Sequence, residues 1–342
     1  MHRGRRLRVA VVVAFACAAL LPGFARAETD LGPIGFGTVV VDNTRGHVYV
    51  SGPSANVVDV LDFSGGLLAT IPNLPGAWGM ALDARYLYVA ESTAGSIARI
   101  DLDTPAFSVT QLANGLQQPQ WLVMTSGKLW ASIAVLPCCG WGSLASIDPK
   151  SGRTRVFTDT YYSPDLATSP GVPNTVFLAE DGLSSGSIYR IDVSTPPKLR
   201  VRASNPMTDQ PNIQDLAVSP DGTRLLPAAG GAGSFPELNA TTLEFDGLVY
   251  PGDTYPVAVA TSPGRGGLLA TGLTGGYVSP DIAVYPLGQT SPIFTATTLT
   301  WNGTANVRRH GLALTADGSR LFAVTDSDVY GTNTIFNSFL LP

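Results

Sequence analysis

The sequence predicts an all-β fold: a seven-bladed β-propeller of four-stranded blades, its ring closed by a strand from the N-terminal side. Three observations predict it. A unit of short apolar strands and polar turns recurs seven times, starting near residues 39, 80, 122, 166, 216, 257 and 312, so that successive starts lie 41 to 55 residues apart. Such a period is the signature of propeller blades, with the variation falling in loops. Tight-turn quartets, "SPDG" at 219–222 and "TADG" at 315–318, sit between runs that alternate apolar and polar residues, as half-buried strands do. Finally, no segment keeps a helical period, and 37 Gly with 26 Pro suit a turn-rich chain.

The units can be followed in order. "VVVDNTRGHVYVSGPSANVVDVLD" at 39–62 and "MALDARYLYVAESTAGSIARIDLD" at 80–103 each read as strand, polar turn, strand, small-residue loop and strand. The pattern continues from Leu122, Leu166, Leu216, Val257 and Leu312. One small sheet cannot bury both faces alone, so stacking against its neighbours completes the core. The seventh unit stops after its third strand, "TIFNSFLLP", and the segment "TDLGPIGF" is expected to supply the fourth. Deleting residues 28–36 should then lower the melting temperature markedly, and an unchanged melt would refute the closure.

The repeats "HVYVSGPSANVVDVLD", "YLYVAESTAGSIARIDLD" and "TVFLAEDGLSSGSIYRID", with "LAVSPDGTRL" and "LALTADGSRLFAVTD", resemble those of the bacterial YVTN-type β-propeller proteins, with NHL-type propellers close behind. The resemblance covers residues 36–342. It implies the fold but no catalytic set, because the family is defined by its repeats. The YVTN tetrapeptide itself is absent, and the fifth and sixth units are loose copies.

Residues 1–27 read as a secretory signal peptide: a basic "MHRGRRLR", an apolar "VAVVVAFACAALL" and a small-x-small site ending at Ala27. Arg5-Arg6 leaves a twin-arginine route open, while Cys17 lacks the upstream leucine of a lipoprotein site. Residues 28–342 form the propeller domain. Removing the five arginines of residues 1–27 leaves 16 basic and 26 acidic residues, a net charge of −10. That balance argues against nucleic acid as a partner. No later apolar run is long enough to span a membrane, and a secreted monomer is expected.

In a propeller the first strand of each blade lines the channel, and its leading residues stand at one mouth. The two residues before each repeat start therefore form a ring that includes Trp78, Gln120, Trp121, Asp165, Gln214, Asp215, Tyr255 and His310. Aromatic walls with a few polar groups mark a small-ligand site. Asp165 and Asp215 are the leading candidates, either as oxygen ligands of Ca²⁺ or as acid and base. Equally, each Asp can cap backbone N–H groups at a turn, His310 can be a solvated loop residue beside Arg308 and Arg309, and the aromatic residues can simply plug the channel. Glu180-Asp181, Asp326 and Asp328 should rise on the same face. Cys138 and Cys139, adjacent in "LPCCGWG", are expected near this mouth as a disulfide between neighbours. Secretion favours that bond, although the short Cα spacing strains it.

The leading reading is a non-catalytic binding module for a small molecule or protein at the mouth. A metal-dependent lactonase of the gluconolactonase-like propeller type is the alternative, with Asp165, Asp215 and Gln120 as rough stand-ins for its cation ligands. The ring positions hold no glutamate, which counts against it. A quinoprotein-like dehydrogenase would explain adjacent cysteines, but its repeated tryptophan motif is missing.

Overall fold

The computed structural model describes residues 26–342 except 136–139, 185, 195–197, 205–211, 253, 265–266, 275–279, 301–302, 305 and 327–332. The adjacent cysteines, Asp328 and all but the last two residues of the expected signal peptide lie outside the described residues.

Seven antiparallel four-stranded sheets form the ring. Six are consecutive meanders, spanning 39–71, 77–114, 122–156, 164–204, 213–251 and 255–296. The seventh joins Val307–Leu314, Arg320–Asp326 and Thr334–Leu340 to an outermost strand from the other end of the chain, Arg26–Asp30. That strand pairs from Arg26 opposite Phe339 to Asp30 opposite Ile335. The ring is thus closed by the N-terminal side, by a strand that starts three residues before "TDLGPIGF" and shares only its first two residues, Thr29 and Asp30. Gly32 and Gly35 have positive φ values of 74° and 62°, so the chain turns away from the seam after Asp30 and crosses to blade 1. A cut after Ala27 would leave Glu28, Thr29 and Asp30 in the seam and remove Arg26, whose Nε and Nη2 donate to Asn337 Oδ1 at 3.1 and 2.8 Å.

The buried residues group by blade interface. Tyr49 and Val60 of blade 1 meet Met80 and Leu87 of blade 2, and Ile97 of blade 2 meets Leu129 and Ile147 of blade 3. The same pattern passes around the ring to Val48, Val50, Phe322 and Phe336, which join blade 7 back to blade 1. Each fully buried apolar side chain contributes about 1.5–3 kcal/mol, so stability resides between blades. Two departures from the regular unit matter later. Blade 3 gains a short extra strand, Tyr161–Tyr162, paired with Trp141 and Gly142. A small hairpin, Leu299–Thr300 with Gly303–Thr304, precedes blade 7 and accounts for its wide spacing.

Candidate active or binding site at the channel mouth

The inner strands are irregular where they reach the mouth. The ladder of blade 5 shifts between Ile213 and Asp215, that of blade 2 between Ala77 and Met80, and that of blade 6 between Pro256 and Ala258. In blade 7 the break is largest: Val307 pairs with Thr325, and the next pair is Leu312 with Ala323. Residues 308–311 therefore bulge out of the sheet, a device that redirects side chains. His310 takes a left-handed conformation, φ 53°. Gly311 completes the bulge, since a Cβ there would stand 2.5 Å from the Arg308 carbonyl oxygen and 2.9 Å from that of Val324.

The bulge carries Arg309 and His310 across the channel from blade 7 to blades 4 and 5. His310 Nδ1 lies 2.8 Å from Asp215 Oδ1, and Nε2 lies 3.5 Å from Asp165 Oδ1. The imidazole side chain is 13% exposed, so it is mostly shielded and not a solvated loop residue. Arg309 Nη1 donates to Asp181 Oδ2, and its Nη2 is 3.8 Å from Asp165 Oδ2. Arg309 Nε donates to His310 Nε2 at 3.2 Å. The guanidinium also lies over the ring of Trp121, 5.1 Å from its centre. Trp121 in turn packs on His310 with ring centres 4.0 Å apart, and meets Trp78 edge-on at 6.1 Å.

The two aspartates also cap backbone. Asp165 Oδ1 accepts from Leu166 N–H at 2.7 Å. Asp215 accepts from Leu216 N–H through Oδ1 and from Val259 N–H through Oδ2. The capping and charged roles foreseen as alternatives therefore coexist. Burial pushes the Asp165 carboxyl up to about 6, with His310 and Arg309 pulling it down. Burial likewise raises Asp181 against the pull of Arg309. For His310, burial acts to lower the pKa, but the carboxylates of Asp165 and Asp215 reverse it and leave it raised. In the neutral ring Nε2 accepts from Arg309; once protonated, it faces Asp165 as a donor.

Above this cluster is a cavity of about 320 Å³ lined by Phe36, Trp78, Trp121, Asn306, Arg308, Arg309 and Asp326, among others. Arg308 Nη1 is held by Asp326 Oδ1 at 2.9 Å. Asp181 and Asp326, expected as loop acids on this face, thus serve as partners of the two arginines. Tyr255 and Gln214 belong to a second group. The Tyr255 hydroxyl accepts from Asn212 Nδ2 at 2.6 Å, and Gln214 Nε2 donates to Asn212 Oδ1 at 3.1 Å. Gln120 contributes main chain: its carbonyl accepts from Gly79 N–H at 2.8 Å. A Cβ on Gly79 would collide with that oxygen at 2.2 Å.

Asp165, Asp215 and His310 bring one ligand atom each within 4.8 Å of one another. They do not fit calcium, which needs six to eight oxygens. Both Asp215 oxygens are taken by backbone donors and His310, and the Arg309 guanidinium and the His310 imidazole already lie against the acids. The signals sequence reasoning missed were Arg309 and the bulge. "RRHG" at 308–311 carries both, as two long cations followed by a residue pair tolerant of positive φ. Trp141, beside the cysteines, is 43% exposed and meets Tyr162 edge-on.

No protein-family model matches the chain, and no curated protein matches it in sequence. Solved structures are similar over nearly its whole length. A selenomethionine-substituted virginiamycin B lyase from Staphylococcus aureus is 15% identical with a TM-score of 0.65, covering 93% of this chain and 100% of that one. A catalytically inactive form of that lyase with quinupristin is 17% identical with a TM-score of 0.62, over the same shares. A streptogramin B lyase structure is 14% identical with a TM-score of 0.63, covering 92% of this chain and 98% of that one. At these identities the likeness is one of fold: the chain is a seven-bladed β-propeller similar throughout to structures of streptogramin B lyases.

Proposed function

We propose that this propeller is a binding module for a small ligand at the mouth of its central channel. The observation that carries the reading is the cavity of about 320 Å³, walled by Phe36, Trp78 and Trp121 and edged by Arg308, Arg309 and Asn306. Its volume falls at the lower end of the roughly 300–1,000 Å³ typical of ligand pockets, and its mix of aromatic walls with few polar groups is the usual one. The chemistry beneath favours binding over turnover: both His310 nitrogens are engaged, Nδ1 by Asp215 and Nε2 by Arg309. Arg308 gives the test, because it lines the cavity, is 37% exposed, and has Asp326 as its side-chain partner among the described contacts. Small molecules that raise the melting temperature of the wild type should lose most of that effect in Arg308→Ala. Full retention of the effect by the variant would contradict the reading.

A second reading, acid–base catalysis, is favoured by one observation, the buried Asp215–His310 pair below the cavity. The inactive virginiamycin B lyase noted above carries a histidine-to-alanine substitution. In this chain the reaction would require Arg309 to leave Nε2, freeing it to take a proton. Turnover of an ester or lactone that disappears in His310→Gln would establish it. The metal-dependent lactonase version is disfavoured by Arg309 and His310, which already lie against Asp165 and Asp215. The protein is also proposed to be exported, with cleavage after Ala27; the mass of the mature N-terminal peptide checks that point. Among the described residues, no helix is long and apolar enough to cross a membrane.

A further inference from the structure

The charged cluster under the mouth has two mutually exclusive hydrogen-bond arrangements, and one proton chooses between them. Asp215 Oδ1 accepts from Leu216 N–H and lies 2.8 Å from His310 Nδ1. A carboxylate so placed fixes the neutral ring's proton on Nδ1 and leaves a lone pair on Nε2. Arg309 Nε donates to that lone pair at 3.2 Å. A second proton goes to Nε2 and sets two N–H donors against each other, so the contact with Arg309 Nε has to open. Acceptors lie on the other side. Asp165 Oδ1 is 3.5 Å from Nε2, and Asp165 Oδ2 and Asp181 Oδ1 are buried without a hydrogen-bond partner among the described residues.

The other charged and titratable groups around His310 are engaged elsewhere. Its strand, Val307–Leu314, packs on Val39–Asp42, Ile213–Val218, Tyr255–Thr261, Leu268–Thr274 and Arg320–Asp326. Of their groups, Asp215 holds Nδ1, and the Tyr255 hydroxyl accepts from Asn212. Asp326 is paired with Arg308 on the same strand as His310, Asp42 with Arg45, and Arg320 donates to the Phe63 carbonyl. Leu268–Thr274 carries none. Blade 4 supplies the remaining two, Asp165 and Asp181. Burial pushes Asp165 up to about 6. Burial acts to lower His310, but Asp165 and Asp215 leave it raised. The coupled pair therefore takes up protons before ordinary carboxylates do.

We infer that His310 Nε2 is a proton-operated latch on the floor of the mouth cavity. Neutral, it holds the Arg309 guanidinium; protonated, it turns to Asp165 and lets that guanidinium tilt toward the acids. Arg309 stays tied to Asp181 through Nη1 and ion-paired with Asp165 through Nη2, so it shifts without leaving. Because Arg309 lines the cavity and lies over Trp121, 5.1 Å from its ring centre, the tilt reshapes the floor. The added proton also offsets part of the excess of Asp165, Asp181, Asp215 and Asp326 over Arg308 and Arg309. Anions should therefore bind more tightly at acid pH. The regulation of binding rests on the mouth being the ligand site; the latch itself does not.

The test follows the Arg309 Nε–H and the His310 ring nitrogens by NMR in ¹⁵N-labelled full-length protein, from about pH 5 to about pH 8. Arg309 is assigned by its loss in Arg309→Lys. Its Nε–H resonance should move with the same midpoint as His310 Nε2. His310→Gln, whose amide oxygen accepts at every pH, should abolish that movement, whereas Asp165→Asn keeps the imidazole and should retain it. A resonance indifferent to the His310 titration, or one that keeps its wild-type pH dependence in His310→Gln, would overturn the latch and leave the mouth as the site. Benzenesulfonate, an anion throughout this range, is then titrated against the Trp78 and Trp121 indole resonances and should bind about fivefold more tightly at the acid end. Equal affinity at both ends would overturn the regulation. No shift of either indole at either end would overturn the mouth as the site, and the regulation with it, while the latch stood.

Discussion

Two of the openings among the described residues differ in a way that volume alone would misjudge. The groove on the opposite face, between the turns of blades 5 and 6, is the larger at about 690 Å³, lined by Pro220, Asp221, Pro263, Leu287 and Gln289 among others. The mouth cavity holds about 320 Å³. Yet the groove is made of regular hairpin turns whose polar groups serve those turns. Asp221 Oδ1 accepts from Thr223 N–H and from the Ser219 hydroxyl, and Arg224 is paired with Glu237 at 2.9 Å. At the mouth, four inner strands break register and turn charged and aromatic side chains inward. Regular turns spend their polar groups on themselves, whereas bulged strands release theirs into the channel. That release is what makes the smaller opening the better candidate.

Substitutions can break this contrast, and the largest effect should come from Asp215. Asp215→Ala leaves two backbone N–H groups and the His310 imidazole without their acceptor. A loss of about 3–5 kcal/mol is expected, as for breaking a buried ion pair by removing one partner, measured by chemical denaturation. A loss below about 1 kcal/mol would mean that the cluster is not a cross-ring brace.

The next effect is a pH dependence. Asp165 is raised from 3.8 to about 6, and His310 is raised above 6.5. Both groups bind their protons more tightly in the folded chain, so stability should fall as pH rises, first between about pH 4 and 6 and then beyond 6.5. The two titrate as a coupled cluster. Asp165→Asn should flatten the first part of that slope. A stability that instead rose from pH 4 to 6, with the same profile in the variant, would contradict the assignment. The smallest effect belongs to the groove: Gln289→Ala should stay within about 0.5 kcal/mol of the wild type. A greater loss would show that the groove, too, is held by specific contacts.

Sequence reasoning read the blades well because they repeat. Alternation such as "LYVAE" and turns such as "SPDG" are local and recur, so each copy supports the others. The positions just before each repeat start also located Asp165, Asp215, Trp78, Trp121 and His310 at one mouth. The grouping among them was not legible, because the register breaks that bring Arg309 and His310 across the ring have no strand-like period. Tyr161–Tyr162, the added strand of blade 3, was hidden for the same reason. The closing strand was placed a few residues late, since "RAETD" sits at the junction with an apparent leader and shows little apolar alternation. Its inward partners, Asn337 and Phe339, lie more than three hundred residues away.

The central claim is that ligands enter the mouth and not the larger groove. Chemical-shift mapping of the labelled protein against a library of small aromatic and polar molecules tests it most directly. The account predicts shifts concentrated on Trp78, Trp121, Asn306 and Arg308, with Gly264, Gly267 and Gln289 unmoved. Shifts confined to those groove residues, with the mouth silent, would contradict it.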